Sequence, residues 1–403
     1  MIFRDIIKLY ALLLMFVFTS CSSNHTETTP ETHNKLPTEI VPIEMGMENT
    51  DTPTPGGTDV DLAWTATPQP PNETDHPTET ATPSLTPEPA ITKLLFTGAI
   101  VPGRCVQAAI DERGNADYLY EDVRELISDA DIAVGTLNAA LSDYPPHLGC
   151  IRTFVLVGSS VNADAMANAG FDLMNMSTNH IKNCGLSSCG DRAFLDTLEN
   201  LERVGIHKVG AGKNIDEAMA PVVIEKNGIR FGFVALGEIE SRAFASQEVP
   251  GIAPLPQEFD EAAENLRTAV QAAREVSDVV IAMPHWGSDY SSTPNYRQLS
   301  FDRVAVEAGA DLVIGTHPHV IQGMREIEGI PVFYSLGSFV FDQDWSLETQ
   351  QGIVVVVTFR ERTFLDYTVI PVHIDGDGHV QVAEAGEFEE ILGRFEALSE
   401  DLK

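Results

Sequence analysis

The chain has 403 residues, a hydrophobic fraction of 43% and a formal charge of −35. Its length exceeds that of one small domain, and its apolar content is ample for a packed core. The charge excludes nucleic acid and anionic membrane surfaces as partners held by bulk electrostatics, so any anionic substrate must be captured locally.

Arg4 and Lys8 precede an apolar run from Tyr10 to Phe18 that is too short to span a bilayer as a mature helix. Phe18-Thr-Ser-Cys21 then resembles the lipobox of bacterial lipoproteins, with Phe18 in place of the usual Leu. That resemblance implies a signal peptide over residues 1–20, lipidation of Cys21, and an extracytoplasmic chain held by lipid to the bacterial cell membrane. An uncleaved N-terminal anchor leads to the same compartment. Residues 21–91 are dominated by Thr, Pro, Glu, Asp and Asn. Such a segment cannot bury enough surface to offset the entropy of ordering, so a disordered tether is expected. About 70 flexible residues would reach roughly 45 Å.

The folded domain is expected over residues 92–403. Thr92–Gly98 reads as a strand, Tyr118–Ser128 as a helix and Asp131–Gly135 as the next strand. Ser160–Ala169 and Ala193–Val204 have helical spacing, with Phe171–Met176 as a strand between them. Pro221 to Gly237 is two strands joined at Asn227-Gly228, a dipeptide suited to a tight hairpin turn. Glu258–Glu275 is an Ala-rich amphipathic helix, Asp278–Met283 a strand, Ser300–Ala308 a helix, and Asp311–Gly315 a short apolar strand. Gly352–Phe359 and Leu365–His373 form a second antiparallel pair, and Glu387–Leu402 an acidic terminal helix. Alternating units plus hairpins predict an α/β domain with mixed sheets covered by helices.

With Cys21 set aside, Cys105, Cys150, Cys184 and Cys189 remain, an even number in an oxidising compartment. The close spacing of Cys184 and Cys189 favours a local staple and leaves Cys105 to pair with Cys150. A zinc site built from the four is the alternative, against which stands the absence of any Cys-x-x-Cys spacing.

Polar residues recur at the ends of the apolar strands: Asn138, Asn179-His180, His285-Trp286, and His317 and His319 around Pro318. In α/β sheets the carboxyl ends of neighbouring strands border a common crevice, so these residues converge although they are distant in sequence. His207, in a glycine-punctuated segment, reads as an ordinary surface histidine.

Phe96-Thr-Gly-Ala-Ile-Val-Pro-Gly-Arg104, Asn179-His180, Val209-Gly-Ala-Gly212, His285-Trp-Gly287, Gly315-Thr-His-Pro-His319 and Phe333-Tyr-Ser-Leu-Gly-Ser-Phe-Val-Phe-Asp-Gln343 resemble the CapA proteins of capsule and poly-γ-glutamate synthesis, relatives of the calcineurin-like metallophosphatases. The resemblance runs from about Thr92 to the C-terminus and implies a four-layer α/β/β/α sandwich with its site at one edge of the paired sheets. It implies Asn179, His285, His317 and His319 as metal ligands, and His180 as the group that protonates a leaving group or steadies an oxyanion. The sequence departs from the family pattern at Ala99, where an aspartate is expected, at Asn138, where an acidic residue is expected, and at Ser338, where the usual residue is Asn.

Two dications held only by neutral Asn and His would repel each other, so one divalent ion, zinc or manganese, is expected rather than two. Glu238 supplies a carboxylate if it turns inward, against its reading as a solvated loop residue. Arg104 is a candidate for orienting an anionic substrate group, against a role in a surface ion pair. Two functions follow: a metal-dependent hydrolase or transferase on a cell-envelope polymer, or a non-catalytic envelope protein on a degenerate fold that assists polymer export or attachment.

Overall fold

The computed structural model describes residues 90–144, 146–182 and 189–403. The expected signal peptide, Cys21, the part of the expected tether before residue 90, and Cys184 lie outside the described residues.

Period-two alternation in the strands builds the layers. In Val279–His285, the side chains of Val279, Ile281 and Met283 enter one apolar cluster while Val280 and Ala282 enter another. In Ile91–Ile100, Leu94 and Phe96 join the first of these clusters, and Leu95 and Ile100 join a third. The shared cluster is the layer between two sheets, and the other two lie beneath helices on the outer faces. The result is the four-layer α/β/β/α sandwich.

The first sheet has the order Val380–Val382, Thr363–Ile374, Gln351–Arg360, Ile91–Ile100, Ile132–Leu137, Leu173–Asn175, His207–Val209, and Ser338–Val340 pairs with the far end of Ile91–Ile100. Its members from Ile91–Ile100 through His207–Val209 are parallel. On the other side of Ile91–Ile100, Gln351–Arg360, Thr363–Ile374 and Val380–Val382 are antiparallel, and Ser338–Val340 is parallel. The second sheet runs Met324–Ile327, Ile330–Phe333, Leu312–Ile314, Val279–His285, Ile229–Gly237, Val222–Lys226, with a parallel centre and a hairpin at each edge. The hairpin expected at Asn227-Gly228 is present, with both turn residues at positive φ, 54° and 77°.

One expected helix is broken. Residues 118–128 form a 3-10 turn, Asp117–Tyr120, and a five-residue helix, Arg124–Ser128. Tyr118, Leu119 and Tyr120 are consecutive and all buried, which one face of a helix cannot achieve. Tyr120 packs against Phe171 and Phe339, and the Tyr118 hydroxyl donates to the Asp377 carbonyl at 2.7 Å.

A disulfide joins Cys105 to Cys150. Cys189 is also disulfide-bonded. These thiols are therefore not available for the alternative four-cysteine zinc site. Among the described residues no helix is long and apolar enough to cross a membrane.

Candidate functional site

The parallel strands of both sheets end at one edge, and the polar residues follow them. Asn138 comes after Ile132–Leu137 and Asn179 after Leu173–Asn175 in the first sheet. His285 closes Val279–His285, and His317 and His319 follow Leu312–Ile314 in the second. His317 and His319 hold positive φ angles of 111° and 59°, and Tyr290, in the loop after His285, holds 59°. Non-glycine residues in this region are strained by about 1–3 kcal/mol each, and such strain gathers where surroundings fix a functional geometry.

His285 is fully buried. Its Nε2 lies 2.9 Å from Asn179 Oδ1 and its Nδ1 lies 3.0 Å from the Thr316 hydroxyl. The His285 and His317 ring centroids are 5.0 Å apart, those of His317 and His319 6.0 Å. His319 Nδ1 is 3.4 Å from the Ser338 hydroxyl. Among the described residues, Asp289, His317 and His319 form a group that could hold a metal ion, their donor atoms lying within 4.8 Å of one another. Asp289 Oδ1 is 3.5 Å from His317 Nε2.

Burial holds these imidazoles in their neutral form. It pushes His317 down to about 4 and, helped by the neighbouring His317, holds His285 and His319 well below the usual histidine range. His180 is also pushed down to about 4, by burial first and then by His317, with Asp289 pulling the other way. Its backbone N–H donates to Asn138 Oδ1 at 2.9 Å. Partial burial raises the pKa of Asp289, and His180 opposes that rise.

The donor set fits a divalent cation. Neutral imidazoles offer lone pairs, and one carboxylate, Asp289, offsets the charge. Thr316 and Asn179 bond the two ring nitrogens of His285 and so fix the orientation of its ring, with Nε2 beside Asn179 Oδ1. The Nδ1 of His317 and the Nδ2 of Asn138 are buried without a hydrogen-bond partner. Each such atom costs about 1–3 kcal/mol while it stays unpaired.

Asn179, His285, His317 and His319 are thus brought together, with His180 beside them. Arg104 is placed otherwise: its Nε and Nη2 donate to the fully buried Asp342 carboxylate, and its Nη1 donates to the Thr153 carbonyl at 3.1 Å. This is a buried structural pair, so the expectation of substrate binding gives way to an internal partner. Glu238 does turn inward, at 4% exposure, but its carboxylate takes Nε–H of Arg297 and the Gly287 backbone N–H. It is neither a solvated loop residue nor placed among the histidines, and instead braces the loop after His285. His207 is exposed on the edge strand of the first sheet, as expected.

Asp289 escapes a reading of the sequence. The only signal is a carboxylate four residues beyond His285, in a loop with no periodic pattern.

A four-layer α/β/β/α sandwich with a His, Asn and Asp cluster at the carboxyl ends of both sheets defines an α/β protein with a candidate metal-binding edge. The chain belongs to the family described as Bacterial capsule synthesis protein PGA_cap, whose model matches residues 93–343. It is 28% identical over 284 residues to the Capsule biosynthesis protein CapA of Bacillus anthracis, covering 70% of this chain and 67% of that one. It is 26% identical over 281 residues to the PGA biosynthesis protein CapA of Bacillus subtilis (strain 168), covering 69% and 70%. Among solved structures, a hypothetical protein from Thermus thermophilus is similar with a TM-score of 0.43 at 12% identity, covering 70% of this chain and 98% of that one.

Proposed function

We propose that this chain is a lipid-anchored, extracytoplasmic capsule-biosynthesis protein that hydrolyses or transfers a linkage in a cell-envelope polymer with the help of one divalent cation, zinc or manganese. The observation that carries this reading is the convergence of Asn179, His285, His317, His319 and Asp289 at one sheet edge. Membership of the capsule synthesis family and the lipobox-like Phe18-Thr-Ser-Cys21 support the cellular role.

His285, Asn179, His317, His319 and Asp289 would hold the cation, which supplies Lewis acidity and an activated water. Thr316 holds the His285 ring at Nδ1, and Ser338 abuts His319. His180 is neutral at pH 7, so it serves as an N–H donor to a developing oxyanion or leaving oxygen rather than as a charged acid. Its backbone hydrogen bond to Asn138 fixes the start of its loop.

Elemental analysis of the purified full chain, with turnover assays on model phosphodiesters and on capsule polymers, tests this reading. Stoichiometric metal that is lost in His317→Ala and Asp289→Asn is the expected result. A metal-free protein without histidine-dependent turnover refutes it.

A second reading, a non-catalytic protein assisting polymer export or attachment, is favoured by Ala99 and Asn138 standing where the family pattern has acidic residues. An Ala99→Asp, Asn138→Glu variant separates the two. Activity that appears only in that variant supports the second reading, and full turnover by the unaltered chain excludes it.

A further inference from the structure

One cavity shares walls with the loops that carry the histidines. Its volume is about 230 Å³, and its lining includes Tyr290 from the loop after His285, Val320 and Ile321 directly after His319, and Ser346, Glu348 and Arg394. The Tyr290 backbone N–H donates to the Pro318 carbonyl at 2.8 Å, which ties two of these walls together. The Tyr290 hydroxyl accepts from Gln343 Nε2 at 3.1 Å, which ties in the third. The volume lies below the roughly 300–1,000 Å³ typical of pockets for drug-sized ligands, so it suits a single monomer unit. Val320 and Ile321 are buried and make part of the lining apolar.

The two charged side chains of this pocket are both unmatched. Arg394, on the terminal helix Ala385–Glu400, donates Nη2–H to Gln351 Oε1 at 2.6 Å, and the fully buried Gln351 donates in turn to Glu387. A neutral amide thus fixes the guanidinium without neutralising it, and among the described residues no carboxylate forms an ion pair with it. Arg104, Arg152 and Arg297, by contrast, are bonded directly to Asp342, Asp344 and Glu238. Glu348 is exposed and likewise has no ion-pair partner among the described residues. Its carboxyl is held below the usual range first by its own backbone N–H, then by Ser346, and more weakly by Arg394. A cation and an anion that line one pocket without bonding each other suit a ligand bearing both charges.

An ammonium and a carboxylate on one carbon meet that demand. The planar fork of arginine matches a carboxylate, and Glu348 matches the ammonium. The free amino end of a γ-linked glutamyl chain is such a group, because its α-amine and α-carboxylate both lie outside the linkage. Internal units keep the α-carboxylate alone, since their nitrogen is acylated. We infer that this pocket takes the free α-amino-acid end of a γ-linked amino-acid polymer, its carboxylate on Arg394 and its ammonium on Glu348. This rests on the reading of the adjacent cluster as a polymer-processing centre, and adds that the chain is engaged by its end rather than along its length.

The test titrates the full chain calorimetrically with a γ-linked glutamyl trimer, with its N-acetylated form and with free glutamate. The trimer is expected to bind, N-acetylation to weaken it by about tenfold or more, and free glutamate to bind less tightly than the trimer. Glu348→Gln, at an exposed position that leaves the fold intact, should erase the difference between free and acetylated trimers. Arg394→Gln should weaken both by about tenfold, and Arg394→Lys, which keeps the charge without the fork, should weaken them less. Equal binding of the acetylated trimer, free glutamate as tight as the trimer, no binding of the trimer, or Glu348→Gln and Arg394→Gln behaving as the unaltered chain overturns the inference. Metal content measured on the same samples separates the two claims. Metal present without preference for the free end refutes the end-group pocket alone, and that preference without metal refutes the metal centre alone.

Discussion

Replacing Asp342 by Asn tests whether Arg104 belongs to the fold or to the substrate. The Asp342 side chain is fully buried and that of Arg104 is 9% exposed. The carboxylate accepts from Arg104 Nε at 3.2 Å, from Nη2, and from the Cys105 backbone N–H at 3.2 Å. Asparagine keeps the shape but removes the charge, and turns two N–H groups toward three donors that can no longer all be satisfied. A buried guanidinium is left uncompensated, for which about 3–5 kcal/mol is expected. The pair also holds Arg104 at φ 51°, a left-handed conformation costing about 1–2 kcal/mol in a non-glycine residue. Urea denaturation should therefore show Asp342→Asn about 4 kcal/mol less stable than the unaltered chain, with a melting point lower by roughly 10 °C. The Arg104→Met, Asp342→Leu double variant should lose less than the single one, because no charge is stranded. Metal content should be unchanged in both. A cost below about 1 kcal/mol for Asp342→Asn, or a double variant worse than the single, would falsify the structural assignment.

Four further outcomes are expected. Asp289→Asn should lower cation affinity by at least about tenfold, read by competition with a metal indicator, since it removes the one carboxylate of the group. Gly315→Ala would place a Cβ against Trp286 Nε1 and the Tyr334 carbonyl, so a loss of about 1–3 kcal/mol by denaturation is expected. Removing the Cys105–Cys150 bond, which closes 45 residues, in a double Ser variant should cost about 4 kcal/mol by the chain-entropy relation, against the non-reduced chain. Asp278 is pulled down to about 2, chiefly by hydrogen bonds from the Arg230 side chain. A depressed carboxyl stabilises above its unfolded value of 3.8, and that contribution is lost as pH falls through about 2. The penalty of Asp278→Asn should therefore be full at about pH 5 and fade toward about pH 2; a penalty that stays constant across that window counts against the linkage.

Much of the layer order is legible because strands and helices announce themselves by period. The Asn227-Gly228 turn and the runs ending at Asn138, Asn179, His285 and His317 follow from local pattern, and the sheet edges do bring those residues together. Residues 118–128 mislead because Leu119, Val123, Leu126 and Ile127 have helical spacing, while the flanking Tyr118 and Tyr120 find separate buried partners that break the helix into a 3-10 turn and a short helix. Glu238 reads as a solvated loop residue and Arg104 as a substrate-orienting group or a surface ion-pair partner, since their burial depends on Arg297 and Asp342, respectively 59 and 238 residues away. Asp289 stays hidden for a related reason: a carboxylate in an aperiodic loop gains meaning only when that loop folds over His317.

The site is also a seam. The first sheet contributes Asn138, Asn179 and Ser338, the second His285, His317 and His319, and the Asn179–His285 and Ser338–His319 contacts cross from one to the other. Nearby, Asn175 Nδ2 donates across the same gap to the Met283 carbonyl at 3.3 Å. Occupancy of the cluster and cohesion of the two sheets are thus a single equilibrium. A cation at a thousandfold excess over its dissociation constant would add about 4 kcal/mol to folding, all of it applied where the sheets meet. If the cluster holds a cation, chelation should therefore be felt as a loosening of the sandwich edge.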